Sequence, residues 1–92
     1  MIRSLRNRDA EALFGGYPTK RFQSNARIAQ RRLAQLHAAR RLDDLRAFPG
    51  SRLEALGGDR RGQHSIRIND QYRICFVWKD GDAHDVEVVD YH

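Results

Sequence analysis

Three residues at the end of the sequence, Asp90, Tyr91 and His92, have side chains that can do chemistry at a phosphate. A carboxylate, a phenol and an imidazole all form hydrogen bonds, and the imidazole can carry a proton near neutral pH. Arg73 lies on the preceding strand-like run and supplies a guanidinium, the group that best grips phosphate oxygens. The combination indicates a site that binds a phosphate and moves protons around it.

Arginine dominates the charge of the chain. The sequence has 92 residues, with 17 Lys+Arg against 12 Asp+Glu, a net charge of +5 and an isoelectric point near 10.1. Only Lys20 and Lys79 are lysines. Because planar guanidinium groups suit bidentate phosphate contacts and stacking on bases, this composition favours RNA or another acidic partner. A GC-rich genome that encodes arginine rather than lysine accounts for the same bias.

Length and composition exclude several classes of protein. A chain of this size forms a single domain, 1–92, with a modest core. No apolar run approaches the roughly 20 residues of a membrane span, and we expect no signal peptide. With Cys75 as the single cysteine, we expect no internal disulfide, no cysteine-rich zinc site and a reducing cytoplasm. The four histidines show no metal-ligand spacing, so we expect no metal and no other cofactor.

The first half of the chain has the pattern of helices. Residues 2–5 suggest a short strand, and Asn7 or Asp9 can cap a first helix that Gly15 and Gly16 end. Ser24 or Asn25 can cap a second helix that runs to about residue 39. Its apolar stripe consists of Ala26, Ala29, Leu33 and Leu36. Leu42 and Leu45 predict one further helical turn.

The arginines of the second helix have two interpretations. Arg27, Arg31 and Arg32 do not belong to the apolar stripe, so the simple interpretation is a solvated helix face. Exposed ion pairs on such a face contribute only about 0–1 kcal/mol to stability. The alternative is contact with ribosomal RNA, in which the summed charge would steer association.

The second half of the chain changes to a period of two. The predicted strands are residues 52–56, 63–68, 72–79 and 86–91. Turn residues separate them: Gly57-Gly58-Asp59, Asn69-Asp70 and Asp80-Gly81. Short connections between successive strands favour an antiparallel meander. We therefore predict an α+β fold with N-terminal helices packed on one face of a curled, mainly antiparallel sheet.

Alternation along these strands assigns the two faces of the sheet. The face expected under the helices carries Ile66, Ile68, Ile74, Phe76, Val86 and Val88. The opposite face carries Arg67, Arg73 and Tyr91, together with Cys75 and Val89. Because arginine grips phosphate and tyrosine can stack on a base, the opposite face is a predicted RNA surface.

Three stretches together resemble a known family. They are the run Leu53-x-x-Leu56-x-Gly58-Asp59-Arg60-x-Gly62, the run from Ser65 through Tyr72-Arg73-Ile74-Cys75-Phe76, and the end Asp90-Tyr91-His92. This order and spacing is similar to that of HigB toxins, members of the RelE/ParE superfamily of type II toxin–antitoxin systems. The resemblance covers essentially the whole chain and implies a RelE-like fold.

The resemblance also implies an activity and partners. HigB proteins are ribosome-dependent endoribonucleases that cut messenger RNA by attack of a ribose 2′-hydroxyl on the adjacent phosphate. Their partner is HigA, a helix-turn-helix antitoxin that neutralises the toxin and represses their operon. We therefore expect a HigA-like antitoxin, the translating ribosome with its mRNA and ribosomal RNA, operator DNA only through the antitoxin, and no membrane.

The resemblance assigns roles to individual residues. Arg73 matches the family's phosphate-stabilising arginine, and Tyr91 and His92 match its terminal Tyr-His pair. Tyr91 would orient the RNA or its 2′-hydroxyl, and His92 would carry the proton. Asp90 would position these groups. Arg60, Arg67 and Asp90 are the candidate RNA contacts.

One departure from the family concerns Glu54. Relatives often have a histidine at this position and a lysine before the Gly-Asp-Arg turn, where this chain has Gly57 and Gly58. A carboxylate is a weaker base than an imidazole near neutral pH, so Glu54 is either a substitute base or a solvent-facing residue. His64 is a possible replacement, although alternation directs it toward the core.

Two further questions stay open on sequence alone. Arg73 could be structural and pair with Asp70 or Glu87. The same fold also serves ParE-like toxins that inhibit DNA gyrase without cutting RNA, so the fold does not decide the activity. A weakened toxin that serves mainly as antitoxin partner in operon regulation is the remaining alternative.

Overall fold

The computed structural model describes residues 1–90, so the predicted site residues Tyr91 and His92 lie outside the described residues. Residues 1–90 form two α-helices, α1 (Arg8–Phe14) and α2 (Ala26–Ala38). They also form four strands: β1 (Glu54–Ala55), β2 (His64–Arg67), β3 (Tyr72–Lys79) and β4 (Asp82–Asp90). Short 3-10 helices span Lys20–Phe22, Leu42–Ala47 and Gly58–Arg60. The predicted α+β class is confirmed.

Asn7 caps α1 and ties it to the sheet. Its Oδ1 accepts a hydrogen bond from the backbone N–H of Ala10 at 3.0 Å, and its amide donates to the carbonyl of Val88 at 2.8 Å. The first bond satisfies an N–H that lacks a partner within the helix. The helix ends at Phe14, directly before Gly15, as predicted.

The second helix buries the predicted stripe, since Ala26, Ala29, Leu33 and Leu36 are all buried. Asn25 occupies the cap position, but its side chain makes no capping hydrogen bond. The predicted turn after α2 is the 3-10 helix Leu42–Ala47.

Asp44 holds the start of that 3-10 helix. Its Oδ2 accepts from the backbone N–H groups of Arg41 at 3.0 Å and Arg40 at 3.1 Å. These two hydrogen bonds favour the ionised carboxylate and lower its pKa below the usual value. The contact fixes the direction in which the chain leaves α2.

The four strands form an antiparallel meander in the order β1-β2-β3-β4, as predicted. The N-terminal segment runs beside β4 in parallel, joined by the isolated bridges Ile2↔Ala83 and Leu5↔Val86. Strand β4 begins at Asp82, four residues before the predicted start at Val86. The predicted first strand is therefore a pair of bridges that extends the sheet beyond β4.

A β-bulge in β4 is the reason that alternation did not predict the first four residues of this strand. Cys75 lies opposite Glu87, but Val77 lies opposite His84, so β4 has one extra residue here. Asp85 adopts a left-handed backbone with φ of 52°, and the Ser4 hydroxyl accepts from its N–H at 2.8 Å. The extra residue shifts the alternation, as bulges do.

The core lies between the helices and one face of the sheet. Its fully buried large side chains include Leu13, Phe22, Leu33, Leu36, Leu45, Ile66, Ile74, Phe76 and Val86. The predicted inward face is confirmed, because Ile66, Ile68, Ile74, Phe76, Val86 and Val88 are all buried. At about 25 cal/mol per Å² of apolar surface, this burial is the main driving force for folding.

Arg32 does not belong to a solvated helix face, which corrects the simple interpretation of the α2 arginines. Its guanidinium donates to the carbonyls of Arg67 at 3.1 Å and Pro49 at 3.0 Å, and to Gln35 Oε1 at 3.1 Å. Burial, and then the positive charges of Arg31 and Arg67, lower its pKa. Arg32 thus clamps α2 to the end of β2 and to the loop before β1.

The backbone beside the clamp favours a glycine at position 50. Gly50 has φ of 79°, and a Cβ there would lie 3.2 Å from Arg32 Nη2. We predict that Gly50→Ala lowers the free energy of unfolding by about 1–2 kcal/mol, because a left-handed backbone is costly for alanine. Urea unfolding at equilibrium measures this change.

Gly57→Ala is the matched control for this substitution. Gly57 has a negative φ, and no atom lies within 4 Å of its added Cβ. We expect a change of about 0.5 kcal/mol or less. Equal losses in the two variants would contradict the role assigned to Gly50.

Candidate functional site

Arg73 lies at the centre of the sheet, on the face away from the helices. It pairs with Arg67 on β2 and with Val89 on β4. Its exposed fraction is only 8%. A charged side chain is rarely buried to this degree unless polar groups compensate it.

Serine and backbone oxygens compensate the Arg73 charge. Nε donates to the Ser65 hydroxyl at 2.7 Å, and Nη2 donates to the carbonyls of Arg52 at 2.6 Å and Ser65 at 3.4 Å. Ser65 is fully buried on the same face of β2. These contacts hold the guanidinium plane in one orientation.

A second bulge turns the Arg52 carbonyl toward Arg73. Glu54 lies opposite Ser65, and the N–H of Arg67 donates to the Ser51 carbonyl at 2.6 Å. Ser65 and Arg67 are two positions apart, but Ser51 and Glu54 are three positions apart, so the segment before β1 has one extra residue. Arg52 has a left-handed backbone with φ of 44°. This irregularity is why the predicted strand at residues 52–56 is reduced to Glu54–Ala55.

Glu54 is the carboxylate next to Arg73. Its Oε2 lies 3.8 Å from Arg73 Nη2, and its side chain is 52% exposed. The pairing of Arg73 with Asp70 or Glu87, expected from the sequence if the role of Arg73 were structural, was wrong. Asp70 pairs with Arg67, and Glu87 pairs with Arg60. The structure thus brings together two of the predicted catalytic residues, Arg73 and Glu54.

Arg60 lies on the 3-10 turn Gly58–Arg60 and faces the same side of the sheet. Its Nη1 donates to Glu87 Oε1 at 2.6 Å and to Gln63 Oε1 at 3.0 Å. These side chains line a polar cleft of about 390 Å³, formed by Arg6, Asp59, Arg60, Gln63 and Glu87.

Cys75 lies between this cleft and Arg73. It is fully buried, and burial raises the pKa of its thiol. A thiol held in its neutral form is a small apolar side chain rather than a nucleophile. Cys75 therefore packs as a small buried side chain on this face of the sheet.

The other predicted RNA contacts lie at the periphery. Asp90 lies opposite Tyr72 at the end of β4, and its Oδ2 accepts from Gln71 Nε2 at 3.1 Å. Arg67 is one strand away from Arg73 and is paired with the fully exposed Asp70. By register, Arg67 shares the face of Arg73, whereas Asp90 shares the face of Tyr72.

His64 does not join this site. It lies on the helix-covered face, where its ring stacks on Phe76 with the centroids 6.3 Å apart. Its Nδ1 is buried without a hydrogen-bond partner among the described residues. His64 therefore does not replace the histidine that relatives have at the position of Glu54.

Sequence analysis missed Ser65, the Arg52 carbonyl and Glu87 as parts of the site. Ser65 carried a signal, since it is a small polar residue that shares the outer face of its strand with Arg67. The role of Glu87 depends on the bulge in β4, and that of Arg52 depends on its unusual backbone. The alternation of apolar and polar residues reveals neither the bulge nor the backbone conformation.

Comparison with known families decides what kind of protein has this site. A family model described as RelE-like toxin of type II toxin–antitoxin system HigB matches residues 11–92, which is most of the chain. This chain belongs to the HigB-like toxins. The resemblance found in the sequence is confirmed.

One curated HigB relative supports this assignment. Toxin HigB-1 of Vibrio cholerae serotype O1 is 51% identical to this HigB-like toxin over 53 residues. The aligned stretch covers 58% of this chain and 56% of the relative, so the chain matches little more than half of that protein.

Solved structures agree on the fold. A chain in the heterotetrameric YoeB-YefM toxin–antitoxin complex from Staphylococcus aureus has a TM-score of 0.60 and 19% identity, covering 100% of this chain and 98% of that chain. A second YoeB-YefM complex from the same organism has a TM-score of 0.52 at 18% identity, with the same coverage. These likenesses show a RelE-like fold.

Residues 1–90 lack two kinds of feature. None of the helices in this range is long and apolar enough to cross a membrane. Over the same range, no group of three or more His, Cys, Asp or Glu residues could hold a metal ion.

Arg73 is a structural residue as well as a candidate functional one, because its hydrogen bonds join β3 to Ser65 and Arg52. A lysine keeps the charge, but its single ammonium cannot reproduce the fork that joins Ser65 and Arg52. We expect Arg73→Lys to lower the free energy of unfolding by about 1.5–3 kcal/mol, because buried acceptors lose a charged donor. Equilibrium unfolding in urea measures the loss.

Arg67→Lys is the control, because Arg67 lies directly opposite Arg73 and has a fully exposed partner. Its expected loss is about 0–1 kcal/mol. If Arg67→Lys were the more destabilising of the two, the compensation described for Arg73 would be refuted.

Proposed function

We propose that this HigB-like toxin is a ribosome-dependent mRNA endoribonuclease, which inhibits translation until an antitoxin neutralises it. The observation that carries the proposal is the fixed Arg73 guanidinium beside the Glu54 carboxylate. These two groups lie on the same sheet as the strand that leads directly into Tyr91 and His92.

Arg73 is suited to stabilise charge in the transition state. Attack of a 2′-hydroxyl on the adjacent phosphate builds negative charge on the phosphate oxygens. A cation that is already oriented need not reorganise during the reaction, and it acts more strongly where water is excluded. Ser65 and Arg52 supply this orientation before any substrate arrives.

Proton transfer and substrate orientation are assigned to His92, Tyr91 and Glu54. His92 is the proposed general acid that protonates the leaving 5′ oxygen, and Tyr91 is the residue proposed to orient the RNA or its 2′-hydroxyl. Asp90, which directly precedes them, is held by Gln71. Glu54 is the proposed base for the 2′-hydroxyl, because a half-exposed carboxylate near the phosphate-binding cation can accept a proton from a bound substrate.

The proposed partners follow from the family. We infer a HigA-like helix-turn-helix antitoxin, with operator DNA reached only through it, and the translating ribosome with its mRNA and ribosomal RNA. The solved complexes of similar fold contain an antitoxin, which supports a partner of this class. The net charge of +5 supports association with RNA, where phosphate contacts dominate affinity.

A second candidate function is a weakened toxin that serves mainly as antitoxin partner in operon regulation. The specific observation in its favour is Glu54, whose negative charge lies 3.8 Å from Arg73. A carboxylate there competes with an incoming phosphate for the guanidinium, whereas a neutral imidazole would not. Toxicity of the expressed protein distinguishes the two candidates.

We predict that Tyr91→Phe and His92→Gln each relieve the growth arrest caused by induced expression. His92→Gln removes the proposed general acid, a loss that lowers the cleavage rate by roughly 100-fold or more. Tyr91→Phe removes the hydroxyl that is proposed to orient the RNA. Both variants should still co-purify with the antitoxin, because the substitutions are small. Growth, incorporation of labelled methionine and co-purification are the measurements.

His84→Gln is the matched control, since His84 lies on β4 opposite Val77, at the other end of β3 from Arg73. It should arrest growth like the unmodified toxin. Arrest that persists in both site variants would refute the assigned residues. An early DNA-damage response with continued translation would instead indicate a ParE-like toxin acting on gyrase.

A further inference from the structure

We propose that the polar cleft beside Arg73 is a nucleobase subsite, in which Glu87 fixes Arg60 so that it reads the base next to the scissile phosphate. The cleft is lined by Arg6, Asp59, Arg60, Gln63 and Glu87. The inference rests on the proposed function, because it assumes that RNA binds at Arg73.

Strand register relates the cleft to Arg73 through Glu87, which lines the cleft. Glu87 lies opposite Cys75, and Arg73 lies two residues before Cys75 on the same face of β3. Alternate residues of a strand are about 7 Å apart. A nucleotide whose phosphate contacts Arg73 can span this distance and place its base in the cleft.

The charges in the cleft favour a base over a second phosphate. Two arginines and two carboxylates line it, so their formal charges cancel. A phosphate prefers a cationic site, whereas the edge of a base presents both hydrogen-bond donors and acceptors. Gln63, which can both donate and accept, adds to the mixed lining.

Glu87 restricts Arg60 to one orientation. Its Oε1 lies 2.6 Å from Arg60 Nη1, and its side chain is only 14% exposed. Gln63 Oε1 accepts from the same nitrogen at 3.0 Å. A guanidinium held in this way can stack on a base or donate to its edge with little loss of side-chain entropy.

The backbone of the Gly-Asp-Arg turn also fixes the position of Arg60. Gly58 has φ of 59°, a conformation that favours glycine. The N–H of Arg60 donates to the Gly57 carbonyl at 3.1 Å, and that of Gln63 donates to the Arg60 carbonyl at 3.0 Å. The turn therefore delivers Arg60 and Gln63 to the cleft from a fixed backbone.

The test is to sequence the 5′ ends of fragments from a pool of mRNAs translated in vitro with the toxin. We expect Glu87→Gln and Arg60→Lys to change the base preference beside the cut by roughly fivefold or more. The double variant should change it no more than either single variant, because both act through one contact. Asp43→Asn, which breaks the exposed pair with Arg46, should keep the original preference.

Asp59→Asn provides a second variant in case loss of the partly buried Arg60–Glu87 pair impairs folding, because Asp59 is exposed on the turn. It too should alter the base preference. If the toxin cuts mRNA and the Glu87, Arg60 and Asp59 variants keep the original base preference, the subsite is refuted while the proposed function stands. If the unmodified toxin makes no cuts, the proposed function fails and the subsite fails with it.

Discussion

The burial of the Arg73 guanidinium is the interaction on which the rest of the site depends. A charge that is 8% exposed must have its donors satisfied, and Ser65 and the Arg52 carbonyl do this from two neighbouring segments. The same contacts orient the group that is proposed to bind the phosphate, so stability and proposed catalysis share one side chain. Loss of activity on substituting Arg73 alone would therefore not separate the two roles, and the residues outside its hydrogen bonds are the better probes of chemistry.

Two bulges supply the geometry that regular strands would not. The left-handed backbone at Arg52 turns a carbonyl toward Arg73, and the one at Asp85 shifts β4 by a residue. That shift sets the position of Glu87, which lies opposite Cys75 and holds Arg60 in the cleft. Bulges commonly stand next to functional sites because they re-aim individual side chains. In this chain both bulges act on the face of the sheet that the helices leave uncovered.

Local patterns in the sequence predicted the two α-helices, the four strands, the order of the meander and the inward face, because period and turn residues are local signals. They did not predict the extent of β1, the start of β4 or the clamp that Arg32 forms with the carbonyls of Arg67 and Pro49. Each of these depends on a left-handed non-glycine residue or on contacts between distant segments. Arg73 and Glu54 were predicted as site residues from the family resemblance, whereas their partners required the strand register.

Primer extension on a defined mRNA, translated in vitro with and without the purified toxin, measures most directly whether the site around Arg73 and Glu54 cuts RNA on the ribosome. The same RNA without ribosomes is the control, because the ribosome aligns the substrate with the site. We predict cuts at in-frame positions that appear only when ribosomes translate the message. Rapid cleavage of the naked RNA would contradict ribosome dependence, and unaffected translation with no cuts would contradict the endoribonuclease itself.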